Sequence, residues 1–260
     1  MEARTMTATE LERALHLAGL SAPAHWHEVT GSTNAIGAEL AHDGAPEWTL
    51  VGAGHQTAGR GRLGRTWVDR PGGSLMTSLV LRPTLSPEAL GLLTLLAGAA
   101  WAEVATEVSG LEVRCKWPND LVVGEAKVGG VLAESSVTGD EVRWVVLGSG
   151  LNLADPEVDE VDEVDGTAGL GSGIDRVALL GGFLSRFRRG YHAPAAELAA
   201  EVVSRWSEVS STLGRLVAAV GTDGVRREGV AVAVDASGRL VLETADGPAA
   251  VASDEVEHLR

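Results

Sequence analysis

QTAGRGRLGRTW, residues 56–67, decides how this chain is read. Within it Gly59-Arg-Gly61-Arg-Leu-Gly64 fits the G-x-G-x-x-G pattern that opens a dinucleotide-binding βαβ unit. That pattern carries meaning only where a helix begins inside it and an acidic residue follows about twenty positions on. Here WVDRPGGS follows, and Pro71-Gly72-Gly73 forbids a continuing helix. A doubly wound fold is therefore set aside. The stretch reads as a loop between two predicted strands, Trp48 to Gly54 and Ser74 to Leu81. Arg60, Arg62 and Arg65 repel one another on it, and its glycines cost backbone entropy on ordering. The loop must hold something that offsets both.

The 260 residues carry formal charge −15 and are 45% hydrophobic, which suits a folded globular chain with a sizeable core. One cysteine, Cys115, excludes an internal disulfide framework and a cysteine-rich zinc site. His25, His27, His55 and His192 show no metal-ligand spacing. No basic-then-apolar leader opens the sequence, and the longest apolar run, Ala89 to Ala102, is shorter than a membrane span. A cytoplasmic protein with no membrane partner is expected. The acidic balance argues against a general nucleic-acid surface.

Residues 8–19 read as a short amphipathic helix, His25 to Thr30 as a strand, and 34–42 as a helix with Ser32 or Thr33 at its cap. A largely buried helix is predicted over 87–109, then strands at 112–117, 120–123, 127–136 and 142–153. The acidic run 155–166 reads as a solvated loop, and 173–190 and 194–210 as helices. From about residue 213 short alternating stretches at 214–219, 229–234, 239–243 and 249–252 predict a small β-barrel.

Six residues are rare for this composition. Among 21 basic residues only Lys116 and Lys127 are lysines; the carboxamides are Asn34, Asn119, Asn152 and Gln56. All six fall in five glycine- or turn-rich segments at the ends of predicted strands: GSTN, QTAGRGRLGRTW, KWPND, KVGGVLAE and GSGLN. One polar site that recruits all five accounts for this. Arginines and lysines around flexible glycines suit a polyphosphate, each contact worth about 4 kcal/mol gross in a partly dry site. Ser32, Thr33, Asn34 and Gln56 supply uncharged donors and acceptors suited to an amide-like or ureido group. A phosphate donor beside a neutral polar substrate points to activation of that substrate by ATP.

In that order and spacing, over residues 25–153, the five segments resemble the biotin–protein ligase family, and the C-terminal β segment is similar to its final module. The resemblance implies an α+β fold, a mixed sheet with flanking helices plus a small SH3-like β-barrel. It divides the chain into a short helical segment (1–20), a biotin- and ATP-binding domain (21–211) and the small C-terminal domain (212–260). The implied activity joins biotin to ATP as biotinyl-5′-adenylate, releases pyrophosphate, and passes biotin to a lysine of a carrier domain.

The resemblance also implies roles. Ser32, Thr33, Asn34 and Gln56 contact biotin, with Gly59, Gly61, Gly129, Gly148 and Trp67 around it and backbone groups of Arg60 to Arg62 completing the contacts. Arg60, Arg62 and Arg65 hold phosphates, and Arg62 closes over the adenylate. Lys127 lies beside biotin's carboxylate and the α-phosphate, so Arg62 and Lys127 are the catalytic candidates. Lys116, Asn119, Asn152 and Trp67 face the nucleotide, and Asp120 is a candidate Mg²⁺ neighbour. Implied partners are biotin, ATP and the biotin carboxyl carrier domain of acetyl-CoA or acyl-CoA carboxylase and related biotin enzymes. About twenty residues precede the first predicted strand, too few for a helix-turn-helix domain, so no DNA partner is expected. Two alternatives stay open: a lipoate- or octanoate-type ligase of the same fold, and a biotin-binding module without catalysis. The family's last motif commonly ends in a second asparagine, where this chain has Leu153-Ala154.

Overall fold

Alternation along strands β3 (Ser74–Leu81) and β7 (Glu141–Asn152) sets the architecture of the structure, a computed structural model that describes residues 5–155, 166–171, 173–193, 195–221 and 224–259. The two strands pair antiparallel, with Ser78 opposite Gly148 and Ser74 opposite Asn152. Successive side chains point to opposite faces of a sheet. Leu79, Leu81, Val145 and Leu147 therefore enter the main core, whereas Val80 and Val146 pack on the other side against Ala41. Both faces need cover.

The main core is covered by α3 (Gly91–Ser109), which packs on α4 (Arg176–Tyr191) and α5 (Ala195–Glu208). With the turn before it, Pro87–Ser109 is long and apolar enough to cross a membrane, yet here it is the central core helix. Trp101 on α3 stacks on Phe183 of α4 with centroids 3.9 Å apart. Helix α1 (Ala8–Leu17) rests on α4, its start held by a capping box between Thr7 and Glu10 that the TATE sequence encodes. On the opposite face lies α2 (Thr33–His42), which packs on β3 and β7 and covers only part of their length. The part of that face α2 leaves bare becomes the floor of a cleft.

The sheet is completed by β1 (Ala24–His27), β2 (Leu50–Ala53), β4 (Val113–Lys116), β5 (Asp120–Val123) and β6 (Ala126–Thr138). Its order is β1-β2-β3-β7-β6-β5-β4, with β1 and β2 parallel and every other pair antiparallel. This is the expected mixed sheet with flanking helices. The edge at β4 is shielded by the chain leaving α5: Cys115 donates to Val209 and Ser211 donates back to Cys115.

The C-terminal module departs from the expected barrel. It is a five-stranded antiparallel sheet, β8 (Leu216–Gly221), β9 (Arg226–Val234), β10 (Leu240–Thr244), β11 (Gly247–Val251) and β12 (Ser253–His258), in the order β11-β10-β9-β8-β12. No ladder joins β11 to β12 among the described residues, so the sheet stays open. Strand β12, which opens in the polar stretch SDE, lacked the apolar alternation that marked the other four. The solvated loop expected at 155–166 lies largely outside the described residues.

Candidate active site

Two glycines on β7 make the cleft possible. Gly148 and Gly150 lie two apart on the face that α2 leaves open, and larger neighbours occupy the space their missing side chains leave. A Cβ on Gly148 would stand 2.0 Å from Asn34 Oδ1, and one on Gly150 would stand 2.7 Å from the Trp67 indole. Gly59 repeats the device, since its Cβ would meet the Trp67 carbonyl oxygen at 2.3 Å. Gly129 on β6 lets the carbonyl of Gly150 approach to 2.7 Å of where a Cβ would sit. The close approach of backbone and side chain is the reason for glycine at these positions.

Around this floor opens a cleft of about 1150 Å³. Of the residues singled out from sequence, Ser32, Thr33, Asn34, Gln56, Arg60, Gly61, Arg62, Arg65, Trp67, Lys116, Asn119, Asp120, Lys127, Gly148 and Asn152 all line it. Gly59 and Gly129 lie behind the wall as backbone spacers. The five segments do converge, as their rare residues suggested. Asn34 stands within the first turn of α2 and Lys127 within β6, not in loops.

One end is a neutral hydrogen-bonding pocket. Thr33 donates to Gln56 Oε1 twice, from its N–H at 2.7 Å and its hydroxyl at 3.0 Å. This fixes the amide of Gln56 with its nitrogen turned to the interior, 3.4 Å from Met76 Sδ. Ser32 occupies the cap position of α2, yet its hydroxyl makes no cap hydrogen bond. Asn34 is engaged on every side. Its oxygen accepts from Ser78 at 2.6 Å, and its nitrogen donates to Glu134 Oε2 at 2.7 Å and to Leu132 O at 3.3 Å. A side chain so employed shapes the pocket rather than reaching across it.

The other end is cationic. The loop 56–67 is folded on itself: Gly61 donates to Arg65 and Trp67 donates to Gly59. A 3₁₀ turn at Arg62–Gly64 puts Leu63 at φ 57°, an uncommon conformation for a branched side chain. Arg60 Nη1 pairs with Glu134 Oε1 at 3.1 Å. One glutamate thus joins the loop to Asn34. Lys127 Nζ lies 3.2 Å from Asp120 Oδ1 across the β5–β6 pair. The indole Nε1 of Trp67 is buried and finds no acceptor among the described residues, an orphan donor on the cleft wall.

Asn119 serves the backbone. Asn119 Nδ2 donates to Val131 O at 2.9 Å while Val131 N–H donates to Asn119 O, a reciprocal clamp on the KWPND turn. Asn152 accepts from Ser74 Oγ at 3.4 Å. Among the described residues no three His, Cys, Asp or Glu side chains converge where an ion would bind.

Sequence reasoning missed three groups. Glu134 sits two and four residues beyond Leu132 and Gly130, both cleft-lining, so period-two counting along β6 would have put it on the same face. The side chain of Asp69 is fully buried; it accepts from Gln56 N–H at 3.2 Å and lies 3.0 Å from His55 Nδ1, closing the stem of the arginine loop. The third group, Val220, Arg226 and His258, comes from the C-terminal module, which walls one side of the cleft. No local signal announces that docking.

Comparison with known proteins agrees with this geometry. Residues 26–152 match the Biotin/lipoate A/B protein ligase family, and 212–259 match the Biotin protein ligase C terminal domain. The chain is 34% identical to a biotin–[acetyl-CoA-carboxylase] ligase of Mycobacterium tuberculosis, covering 96% of each. It is 33% identical to the bifunctional ligase/repressor BirA of Bacillus subtilis, over 89% of this chain and 73% of that protein. The structure matches biotin protein ligase from Aquifex aeolicus in complex with biotin and ATP at TM-score 0.72 and 25% identity, over 91% of this chain and 99% of that one. The chain belongs to the biotin protein ligase family.

Proposed function

We infer that the chain is an ATP-dependent biotin–protein ligase. The observation that carries this reading is the union, in one cleft, of a pocket of fixed neutral donors with two lysines and the three arginines of the loop 56–67. In the first step biotin's carboxylate oxygen attacks the α-phosphorus of ATP, forming the mixed anhydride and expelling pyrophosphate. In the second, a carrier lysine amine attacks the acyl carbon, forming an amide and releasing AMP. Neither step needs a protein nucleophile. Positioning and charge neutralisation suffice.

Gln56 carries the neutral end. With its oxygen held by Thr33 and one amide hydrogen on Met76 Sδ, its second N–H is what it has to offer, and it matches the ureido carbonyl of biotin. Ser32 and Thr33 complete the ring contacts, while Asn34 acts by bracing the wall. Lys127 neutralises charge on the carboxylate and α-phosphate, and Asp120 holds its ammonium in the cleft before substrate arrives. Arg60, Arg62 and Arg65 take the phosphates. Arg62 at the loop tip then shelters the anhydride from water. Lys116 and Asn152 face the nucleotide, with Asn119 bracing its turn.

Mg²⁺ enters with ATP as the counter-ion of its phosphates. Asp120 is one carboxylate already paired with Lys127 and makes no resident metal site by itself. The carrier lysine belongs to a biotin carboxyl carrier domain, and the cytoplasm, where ATP and such carriers meet, is the compartment this reading assigns. Pyrophosphate–ATP exchange is the test: exchange dependent on biotin and indifferent to lipoate supports the assignment. Exchange driven by lipoate, or biotin binding without exchange, sinks it.

A further inference from the structure

Trp117 sends both of its nitrogens into the C-terminal module. Its backbone N–H donates to Thr212 Oγ1 at 2.9 Å and its indole N–H donates to Gly238 O at 3.1 Å. Trp117 is the second residue of KWPND, directly after the sheet edge at β4, where no further strand could take its backbone N–H. Thr212 is wholly buried, and its hydroxyl has a second partner, His258 Nε2 at 3.2 Å.

Proton accounting gives this contact a direction. The Thr212 oxygen already accepts from Trp117, so its own hydrogen needs an acceptor within this fully buried setting. His258 Nε2 supplies it, which puts the imidazole hydrogen on Nδ1. That nitrogen faces Glu125 Oε2 at 3.7 Å, and Glu125 in turn takes Arg215 Nη1 at 2.7 Å. Glu125 lies in the β5–β6 turn, two residues before Lys127. The chain Trp117–Thr212–His258 therefore ties the turn bearing Lys116, Asn119 and Asp120 to a single pair of module side chains, and the His258 ring stands beside Glu125 of the turn leading to Lys127 without a hydrogen bond to it.

We propose that Thr212 and His258 are positioning residues for the wall formed by Lys116 to Asp120, so that the C-terminal module orients the nucleotide side of the site. This rests on the reading above that the wall meets ATP. Neither residue touches the reacting atoms; each acts through Trp117. The design suits a ligase whose charged groups lie on short turns: a turn held only by its own chain would leave Lys116 loosely aimed.

The test uses the full chain. Thr212→Val keeps shape and removes the hydroxyl; His258→Ala removes the acceptor; His258→Gln restores one through its amide oxygen. Amide hydrogen exchange over residues 116–121 is expected to quicken about tenfold in Thr212→Val. The KM for ATP in pyrophosphate exchange should rise about five- to twentyfold, with the KM for biotin within about twofold. His258→Ala should move the same way and His258→Gln should largely recover. Parent-like exchange and parent-like ATP KM in folded variants overturn the proposal, as does an equal loss for ATP and biotin, which a merely structural role would give. Faster exchange with an unchanged ATP KM supports the positioning of Trp117 and overturns the nucleotide assignment of this wall. If Thr212→Val does not fold, the His258 pair decides, since it keeps the Thr212 hydroxyl and changes only the acceptor that orients it.

Discussion

Gly148 and Asn34 share one volume: the carboxamide of Asn34 occupies the space that any side chain at 148 would fill, at 2.0 Å from an added Cβ. The glycine of one motif thus exists for the asparagine of another, more than a hundred residues away. Gly148→Ala must drive Asn34 off Ser78, Leu132 and Glu134. Overpacking of this kind costs about 1–3 kcal/mol, and the variant should show that loss in thermal unfolding. The pocket wall moves with Asn34, so the KM for biotin should rise about tenfold while the KM for ATP changes less.

Glu134 separates two roles by substitution. Glu134→Gln still accepts from Asn34 but drops the ion pair with Arg60, whose side chain is 53% exposed. A pair so exposed is worth about 0–1 kcal/mol, so stability should barely change. Glu134→Ala also strands an N–H of buried Asn34, costing about 1–3 kcal/mol. Chemical denaturation of the two variants side by side measures the difference.

Lys127 is held at 3.2 Å from Asp120 on the cleft wall. Lys127→Gln should lower kcat for adenylate formation by about a hundred- to a thousandfold with little change in biotin affinity. Lys127→Arg should not restore it, because a planar guanidinium does not present a point charge there. Single-turnover formation of biotinyl-5′-adenylate gives the answer.

Arg62 at the tip of the folded loop is the candidate seal over the anhydride. Arg62→Gly should still make adenylate but release it, labelling lysines of bystander proteins with biotin. Hydrogen exchange over residues 57–66 should slow in the parent when biotin and ATP are both present. A variant that makes adenylate and retains it, or a loop indifferent to substrates, counts against the sealing role.

Acid should loosen the C-terminal module through His258. Burial, with Arg215 and then Lys116 beside the ring, pushes the imidazole down to about 4 from its ordinary 6.5, against the opposing pull of Glu125. The unfolded chain therefore takes up a proton below pH 6.5 that the folded chain refuses until about 4. Stability from this group is complete above 6.5, declines as pH falls through that window, and is gone below it. Melting temperature followed from pH 7 to pH 4 should fall less steeply in His258→Gln than in the parent. Identical slopes would show that His258 does not titrate in this way.

Much of this molecule was readable locally. The alternation of β3 and β7, the capping box of α1, and the apolar length of α3 each follow from spacing alone, because strand and helix periods act over a few residues. The failed helix after Gly64 was equally plain, since Pro71 and two glycines act on their own backbone. Five polar segments could be assigned to one site because a chain poor in lysine and carboxamides had kept them only there. Their roles were less legible. Asn34 and Asn119, chosen as ligand contacts, prove to spend their amides on Glu134, Leu132 and Val131.

What escaped the sequence has a common cause. Glu134, Asp69, Thr212 and His258 act through partners brought near by the sheet order and by docking of the C-terminal module. Period and composition describe a residue and its neighbours in the chain. They do not say which distant backbone N–H will lie 2.9 Å from a threonine hydroxyl. Local spacing determined the strands, the helices and the inventory of charged and amide groups. Tertiary packing alone decided which of those groups were left for substrate, because a buried donor takes whichever acceptor the fold brings to it.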